Sequence, residues 1–383
     1  MIKITKSLFD DPNQNKYTFL KGKIPQDIFS ALPDALFFDI ETTGLSARNS
    51  MCYLIGMVYL KDGLWEYTQM FADSPSDETC LLTDFFKIAG SYKYLIHFNG
   101  ESFDIPFILQ RCRLLELPFV PSLPESIDLF KRIRKLSKLL QLENFKQKTI
   151  EEFLGINRPD KYSGKELISI YRDYVISKNE DSEKLLLLHN HDDIKGLVEI
   201  LPMLCYETFI NAKTDDSEDC NPVSFEINET TDFEGNEIKE LLISAKLTIS
   251  VPVRITLKKD FFYAIISDET INLRIPFINQ ELKYFYPNYK DYYYLPDEDT
   301  AIHKSVASYV DKNHRKPARA DTCYVRKSGD FLPQPEEVFT PSLRKAYKDN
   351  ISYFQPGNKF IKSGDMHLYN EYIRAIIKYL ITM

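Results

Sequence analysis

An apolar run that ends in two acids constrains this chain more than any other stretch. Leu36-Phe-Phe-Asp39-Ile-Glu41-Thr-Thr-Gly44-Leu45 reads as a strand, and side chains alternate along a strand. Asp39 and Glu41 therefore point to one face, side by side at its carboxyl end. Two like charges so placed repel. A buried strand that ends in them is costly unless something positive lies between them, and a divalent cation with oxygen ligands is the simplest candidate. The alternative is a solvent-facing strand end with both acids hydrated, followed by the turn Thr42-Thr43-Gly44.

Two further stretches carry acids at comparable places. The run Tyr94 to Phe98 breaks at Asn99-Gly100 and leads through Glu101-Ser102-Phe103-Asp104 into a helix whose first turn suits Pro106. Asp104 reads either as the N-cap of that helix or as a functional acid at a second strand end, because functional groups in open α/β sheets gather at the carboxyl edge. Further on, Leu188-His189-Asn190-His191-Asp192-Asp193 falls in a helical pattern that puts His189 and Asp193, at i and i+4, on one face. His191 points elsewhere. With the two histidines two residues apart and no cysteine near, a zinc site is disfavoured.

Up to residue 205 the pattern is strands followed by or alternating with helices. Strand-like runs cover Leu36 to Ile40, Cys52 to Leu60, Trp65 to Phe71 and Tyr94 to Phe98. Helical patterns cover Glu78 to Ala89, Pro106 to Leu115, Thr149 to Leu154, Glu166 to Ile176 and Lys184 to Leu204. The turn Lys61-Asp62-Gly63 separates two apolar runs as a hairpin, so part of the sheet is expected to be antiparallel. The fold class is α/β, a mixed sheet flanked by helices. After residue 235, short apolar runs (Glu240 to Ser250, Val253 to Leu257, Phe261 to Ser267, Ile271 to Ile275) suggest a meander, followed by a tyrosine-dense stretch and a final helix over Met366 to Leu380. The expected layout is an N-terminal extension over 1–32, an α/β domain over 33–205, an acidic linker or loop over 206–235 and a smaller C-terminal α+β domain over 236–383.

Charge sharpens this layout. The net charge is -8, yet residues 206–240 hold eleven acids against Lys213 and Lys239. That segment alone carries -9, so the rest of the chain sums to +1 and an anionic partner stays open. Lys131 to Lys148 has seven Lys or Arg and one acid, and Lys304 to Lys327 has seven against Asp311 and Asp321. Each cluster is either a solvated face or a contact for phosphates. No apolar run approaches the ~18 residues of a membrane helix. The amino terminus lacks a leader pattern and the six cysteines form no Cys-x-x-Cys pair, so a cytoplasmic protein is expected.

Taken together, Asp39-x-Glu41 followed by Gly44, Asp104 after the Asn99-Gly100 turn, and His189-x-x-x-Asp193 resemble, in order, the three motifs of the DEDD superfamily of 3′-to-5′ exonucleases, which have a ribonuclease H-like fold. The resemblance covers about residues 33 to 205. Within it the chain looks like the YprB-type bacterial branch, in which Asn follows the position of His189. That branch more usually has Tyr where His189 stands, and this leaves two roles for His189: general base, or spacer.

The resemblance implies that Asp39, Glu41, Asp104 and Asp193 hold two divalent cations, Mg²⁺ or Mn²⁺, for hydrolysis of single-stranded DNA or RNA at a 3′ end. It implies His189 as the candidate base, and substrate contacts at Thr42, Gly44, Asn99, Phe103 and Phe107, the two phenylalanines stacking or wedging a terminal base. The competing reading of the two phenylalanines is core. The competing reading of the whole is a catalytically silent ribonuclease H-like module that binds nucleic acid or a protein partner.

Overall fold

A computed structural model of the chain describes residues 1–117, 123–158, 162, 164–207, 220–231, 235, 237–357 and 366–381. Two compact units divide the chain: Met1–Glu207 with Ile249–Val253, and Thr208–Thr248 with Arg254–Met383.

The first unit contains, in chain order, β1 (Ile2–Ser7), α1 (Gln26–Ala31), β2 (Ala35–Thr42), β3 (Cys52–Lys61), β4 (Leu64–Phe71), α2 (Glu78–Ala89), β5 (Tyr94–His97), α3 (Asp104–Leu114), β6 (Glu125–Asp128), α4 (Leu129–Arg134), α5 (Ser137–Leu140), α6 (Gln147–Phe153), α7 (Gly164–Ser177) and α8 (Glu180–Glu199). Its six strands form one sheet in the order β1-β4-β3-β2-β5-β6. The first four pair antiparallel, and β2, β5 and β6 run parallel. The expected mixed sheet is present. The β3–β4 hairpin turns through Asp62 and Gly63, both at positive φ (53° and 78°), the backbone that Asp-Gly turns supply.

β2 sits inside the sheet with both faces covered, which is why it reads as a continuous apolar run. Leu36, Phe38 and Ile40 belong to the core packed under α2 and α3, with Phe38 5.3 Å from Phe85. On the opposite face Phe37 meets Trp65 edge-on, and further along that face Asp39 meets α8. The helix approaches this closely because the residue of β3 paired with Asp39 is Gly56. A Cβ there would lie 2.2 Å from Asn190 Oδ1 and 2.7 Å from Ile194.

Two parts of the expected layout are corrected. Residues 1–32 are no free-standing extension, since β1 pairs along β4 and closes one edge of the sheet. The linker expected over 206–235 contains a strand, β7 (Cys220–Thr231), paired antiparallel with β8 (Glu237–Lys259). Val223 and Ile227 are exposed, and the ladder shifts register between Pro222 and Ser224, so the strand is held by its backbone pairing with β8, whose Leu241, Ile243 and Ala245 are buried, and not by an apolar face that its own sequence would announce. The remainder of that linker, 208–219 and 232–234, lies outside the described residues.

In the second unit β9 (Phe262–Pro276) completes the sheet β7-β8-β9. β10 (Ile278–Phe285), β14 (Tyr324–Gln334) and β15 (Ser352–Phe354) form a second sheet. β11 (Tyr292–Leu295), β12 (Thr300–His303) and β13 (Lys316–Pro317) form a third. The short helix α9 (Lys304–Ala307) follows β12, and α10 (Met366–Ile381) closes the chain. Tyr372, Ile373, Ile376 and Leu380 of α10 are fully buried, and the Tyr372 hydroxyl donates to the Pro333 carbonyl at 2.7 Å. No helix among the described residues is long and apolar enough to cross a membrane.

Candidate metal centre and cleft

Because β2, β5 and β6 are parallel, their carboxyl ends open on one edge of the sheet. Asp39 and Glu41 end β2, Asp104 follows β5 across a short turn, and Asp128 ends β6. The turn is built by Asn99, which takes a left-handed φ of 61° and donates its backbone N–H to Asp128 Oδ1 at 2.9 Å. Asn and Asp tolerate that conformation better than other residues with a side chain. Asp128 also caps α4 by accepting from the Lys131 N–H, so one carboxylate ties the turn that carries Asp104 to the next helix.

His97, 1% exposed, braces the same turn. Its Nδ1 accepts the Gly100 N–H at 3.0 Å, which puts the ring proton on Nε2, 2.8 Å from Ser126 Oγ. Ser126 in turn donates to Glu101. Burial holds the His97 pKa below its ordinary value, against the pull of Asp128 and Glu101, so this histidine is neutral and structural.

α8 supplies the remaining groups. Asn190, fully buried, donates Nδ2–H to Asp39 Oδ2 at 3.1 Å. Its own Oδ1 accepts from Gln69 Nε2 at 3.1 Å, so the amide is fixed and aims Asp39. His189 Nε2 lies 3.2 Å from Asp193 Oδ2 and 3.5 Å from Glu41 Oε1. Glu41, His189 and Asp193 each bring one ligand atom to within 4.8 Å of the others. His191 stands apart, edge-on to Tyr67 at 4.7 Å.

The electrostatics show how crowded these acids are. Burial, then the charges of Asp193, Asp104 and Glu41, push the Asp39 carboxyl well above the usual carboxylate range, with Asn190 opposing. Asp104, 7% exposed, is pushed up to about 7 by burial and then by Asp128 and Asp193, while the backbone amides of Asp104 and Ile40 pull the other way. Like charges sharing a buried site do this. The donor set is carboxylate oxygen with one imidazole, which fits a hard divalent ion such as Mg²⁺ or Mn²⁺.

One cation is already built in. Arg158, 8% exposed at its side chain, donates through Nη1 to Asp193 Oδ1 and through Nε and Nη2 to Glu151, which is 1% exposed. Gln147 Nε2 donates at 2.9 Å both to Glu151 Oε1 and to the Asp193 carbonyl. The cluster packs against α8 where residue 196 is glycine. A Cβ there would fall 2.1 Å from Glu151 Oε1 and 3.1 Å from Arg158 Nη2.

Asp39 and Asp104 open onto a cleft of about 570 Å³ lined also by Phe98, Asn99, Phe103, Phe130, Arg134, Phe145, Lys146 and Gln147. The size is that of an ordinary small-ligand site. Of the substrate contacts expected from the sequence, Asn99 and Phe103 line this cleft. Phe107 does not: at 4% exposure it belongs to the core with Ile108 and Cys112, and the expectation that it stacks a base is corrected. An α3 residue three positions past the helix start turns inward with the apolar stripe. Thr42 and Gly44 are not among the residues lining the cleft, and the Thr42 hydroxyl donates to the Gly44 carbonyl at 2.9 Å.

The basic cluster Lys131 to Lys148 divides by role. Lys131 pairs with Glu101 and Arg132 with Glu207, whereas Arg134, over the Phe130 ring at 5.6 Å, and Lys146 face the cleft. Phe130 and Phe145 beside these cations were a legible signal of aromatic and basic residues interleaved. Arg158 carried no such signal, being one arginine in a connection between two helices.

The family profile of the RNase H superfamily matches residues 36–205. Among solved structures, the chain is similar to the family B DNA polymerase from the hyperthermophilic archaeon Pyrobaculum calidifontis, at 15% identity and a TM-score of 0.35. That match covers 46% of this chain and 25% of the polymerase chain, so the protein spans about a quarter of that relative's length. No curated protein matches the sequence. Residues 36–205 thus form an RNase H-like α/β domain whose carboxyl edge gathers acids in an arrangement that fits a nuclease in general terms, followed by a strand-rich second unit.

Proposed function

We propose that this protein removes nucleotides from the 3′ end of single-stranded DNA or RNA, with Asp39, Glu41, Asp104 and Asp193 holding two divalent cations, Mg²⁺ or Mn²⁺. The observation that carries the reading is the crowding of acids at a buried place: burial first, and then the charges of Asp193, Asp104 and Glu41, push the Asp39 carboxyl well above its ordinary range, and bound cations would relieve both. Such ions, when bound, stabilise charge on phosphorus oxygens and sharpen water as a nucleophile.

The chain's own groups do the rest. Asn190 orients Asp39, and the Asp128-capped turn holds Asp104 at the cleft wall. Arg134 and Lys146 offer charge to substrate phosphates, and the half-buried rings of Phe98, Phe103, Phe130 and Phe145 offer flat faces to a terminal base. His189 places Nε2 between Glu41 and Asp193, where it is the candidate base.

A second reading has one observation in its favour. Arg158 already supplies Asp193 with a positive partner, as it would in a silent module that binds nucleic acid without cutting it. End-labelled single strands of DNA and RNA incubated with Mn²⁺ separate the readings: a ladder shortening from the 3′ end is expected. A discrete cut would mean endonuclease action, and absence of product would favour the silent module. In the same assay, single-turnover rates of His189→Phe, His189→Tyr and His191→Ala decide the histidine's part. A positioned base is worth ~100-fold or more, so His189→Phe should fall by that factor and His191→Ala should stay near the parent. A His189→Phe rate within a few-fold of the parent would leave His189 a spacer.

A further inference from the structure

The second unit carries a cluster of cations around the ring of Tyr293, close in sequence to an exposed tyrosine. Tyr293, in the middle strand of the β12-β11-β13 sheet, is half-buried, with the Arg315 guanidinium 5.0 Å and Lys304 Nζ 6.0 Å from its ring centre. Arg315 also donates to the Ala307 carbonyl at the end of α9. Lys316 pairs with Tyr294 on the neighbouring strand, so its side chain lies on the face of the sheet opposite to that of Tyr293. Beyond α9, Tyr309 is 92% exposed, the most exposed large hydrophobic side chain among the described residues.

Pairing separates these cations from others nearby. Arg319 is matched by Asp321, Arg326 by Glu281 and His314 by Asp297. No ion pair among the described residues engages Lys304, Lys312 or Arg315, and Lys304 and Lys312 are exposed. Three positive charges without acidic partners favour a polyanion. An exposed ring among them adds a flat apolar face, which an acidic peptide has no general use for and a duplex, with its bases stacked inside, cannot reach. Unpaired bases on a phosphate backbone fit both features.

We propose that the surface formed by Tyr293, Lys304 and Arg315 with the adjoining connection that carries Tyr309 and Lys312 binds single-stranded nucleic acid, by phosphate contacts to the cations and by stacking of a base on Tyr309. This surface lies in a different unit from the carboxylate centre, and its binding does not depend on whether that centre cuts.

The test is fluorescence anisotropy of the full chain with labelled dT and rU 20-mers in EDTA, so that no metal-dependent cleavage intervenes, over a range of salt concentration. Single-strand binding loses about 0.7 in the slope of log K against log salt for each phosphate contact removed. The double variant Lys304→Ala, Lys312→Ala should therefore flatten the slope by about 1.4. Stacking of one base is worth roughly 5- to 150-fold, so Tyr309→Ala should weaken binding by about 10-fold with the slope unchanged, and Tyr309→Trp should restore it. All three positions are exposed, and circular dichroism of each variant checks that the fold survives. Wild-type slope in the double variant, or wild-type affinity in Tyr309→Ala, would overturn the proposal. So would a labelled poly-glutamate peptide that binds this face more tightly than either strand, since the surface would then be a protein-docking face. Loss of hydrolysis with this binding intact would count against the catalytic reading alone.

Discussion

Asp39→Asn is expected to abolish hydrolysis and, in ion-free buffer at neutral pH, to make the protein more stable. The two effects have one cause. A single charge-stabilising group aimed at a reaction centre is worth ~100- to 1,000-fold, and Asp39 is the acid on which the charges of Asp193, Asp104 and Glu41 converge. Its loss should therefore cost about 1,000-fold in rate. For stability the sign follows from the direction of the pKa shift. The folded-state pKa of Asp39 lies above its unfolded value, so at low pH, where both states are protonated, the residue contributes nothing. As pH rises past ~4 the unfolded chain ionises first, and the folded state is penalised increasingly until the folded pKa is passed. Asparagine removes that penalty and still accepts from Asn190 Nδ2. Thermal melts in EDTA should show the variant above the parent at pH 7.5, with the gap closing toward pH 4. A variant that melts below the parent at pH 7.5 would mean that Asp39 does not sit among repelling charges.

Arg158→Met is expected to have the largest effect on stability of any single substitution near the site. The guanidinium's charge is disfavoured by burial, but Glu151 and Asp193 outweigh this and hold its pKa above the ordinary value. Removing one partner of a buried ion pair leaves an uncompensated charge and costs about 3–5 kcal/mol. Here the stranded group is Glu151, 1% exposed. At ~2–4 °C per kcal/mol for a unit of this size, the melting temperature should fall by roughly 10 °C. Arg158→Lys should recover little, because an ammonium cannot serve Glu151 and Asp193 together in the forked geometry. The double variant Glu151→Leu with Arg158→Met should recover much of the loss, since apolar replacement of a whole buried pair is often neutral. A single variant within 1 °C of the parent would show that the clamp is not a buried ion pair in solution.

Legibility in the sequence tracked how local each signal was. The β3–β4 hairpin was readable because its turn chemistry lies in Asp62 and Gly63 themselves, and β2 because a strand covered on both faces is apolar throughout. Four acids could be named because each follows a strand end or sits on a helix face. Elsewhere local irregularities misled. β8 runs unbroken from Glu237 to Lys259 and β9 from Phe262 to Pro276, yet each reads as two shorter strands. Pro252 interrupts the apolar pattern of β8, and Asp268, at φ 50°, interrupts that of β9. β1 and β6 are short and contribute few apolar residues, so their place depends on partners distant in the chain. Arg158, Glu151 and Gln147 meet α8 only because residue 196 lacks a side chain, and this kind of tertiary coincidence leaves no periodicity to read.

Direct titration with Mn²⁺ is the measurement closest to the question of whether the four acids form a metal centre. Free Mn²⁺ followed by electron paramagnetic resonance should fall as the protein takes up two ions per chain. Asp39→Asn should lose at least one of them, and the Lys304, Lys312 double variant should bind both. Uptake by Asp39→Asn equal to that of the parent, or no uptake by the parent at millimolar Mn²⁺, would contradict the assignment of these carboxylates as metal ligands.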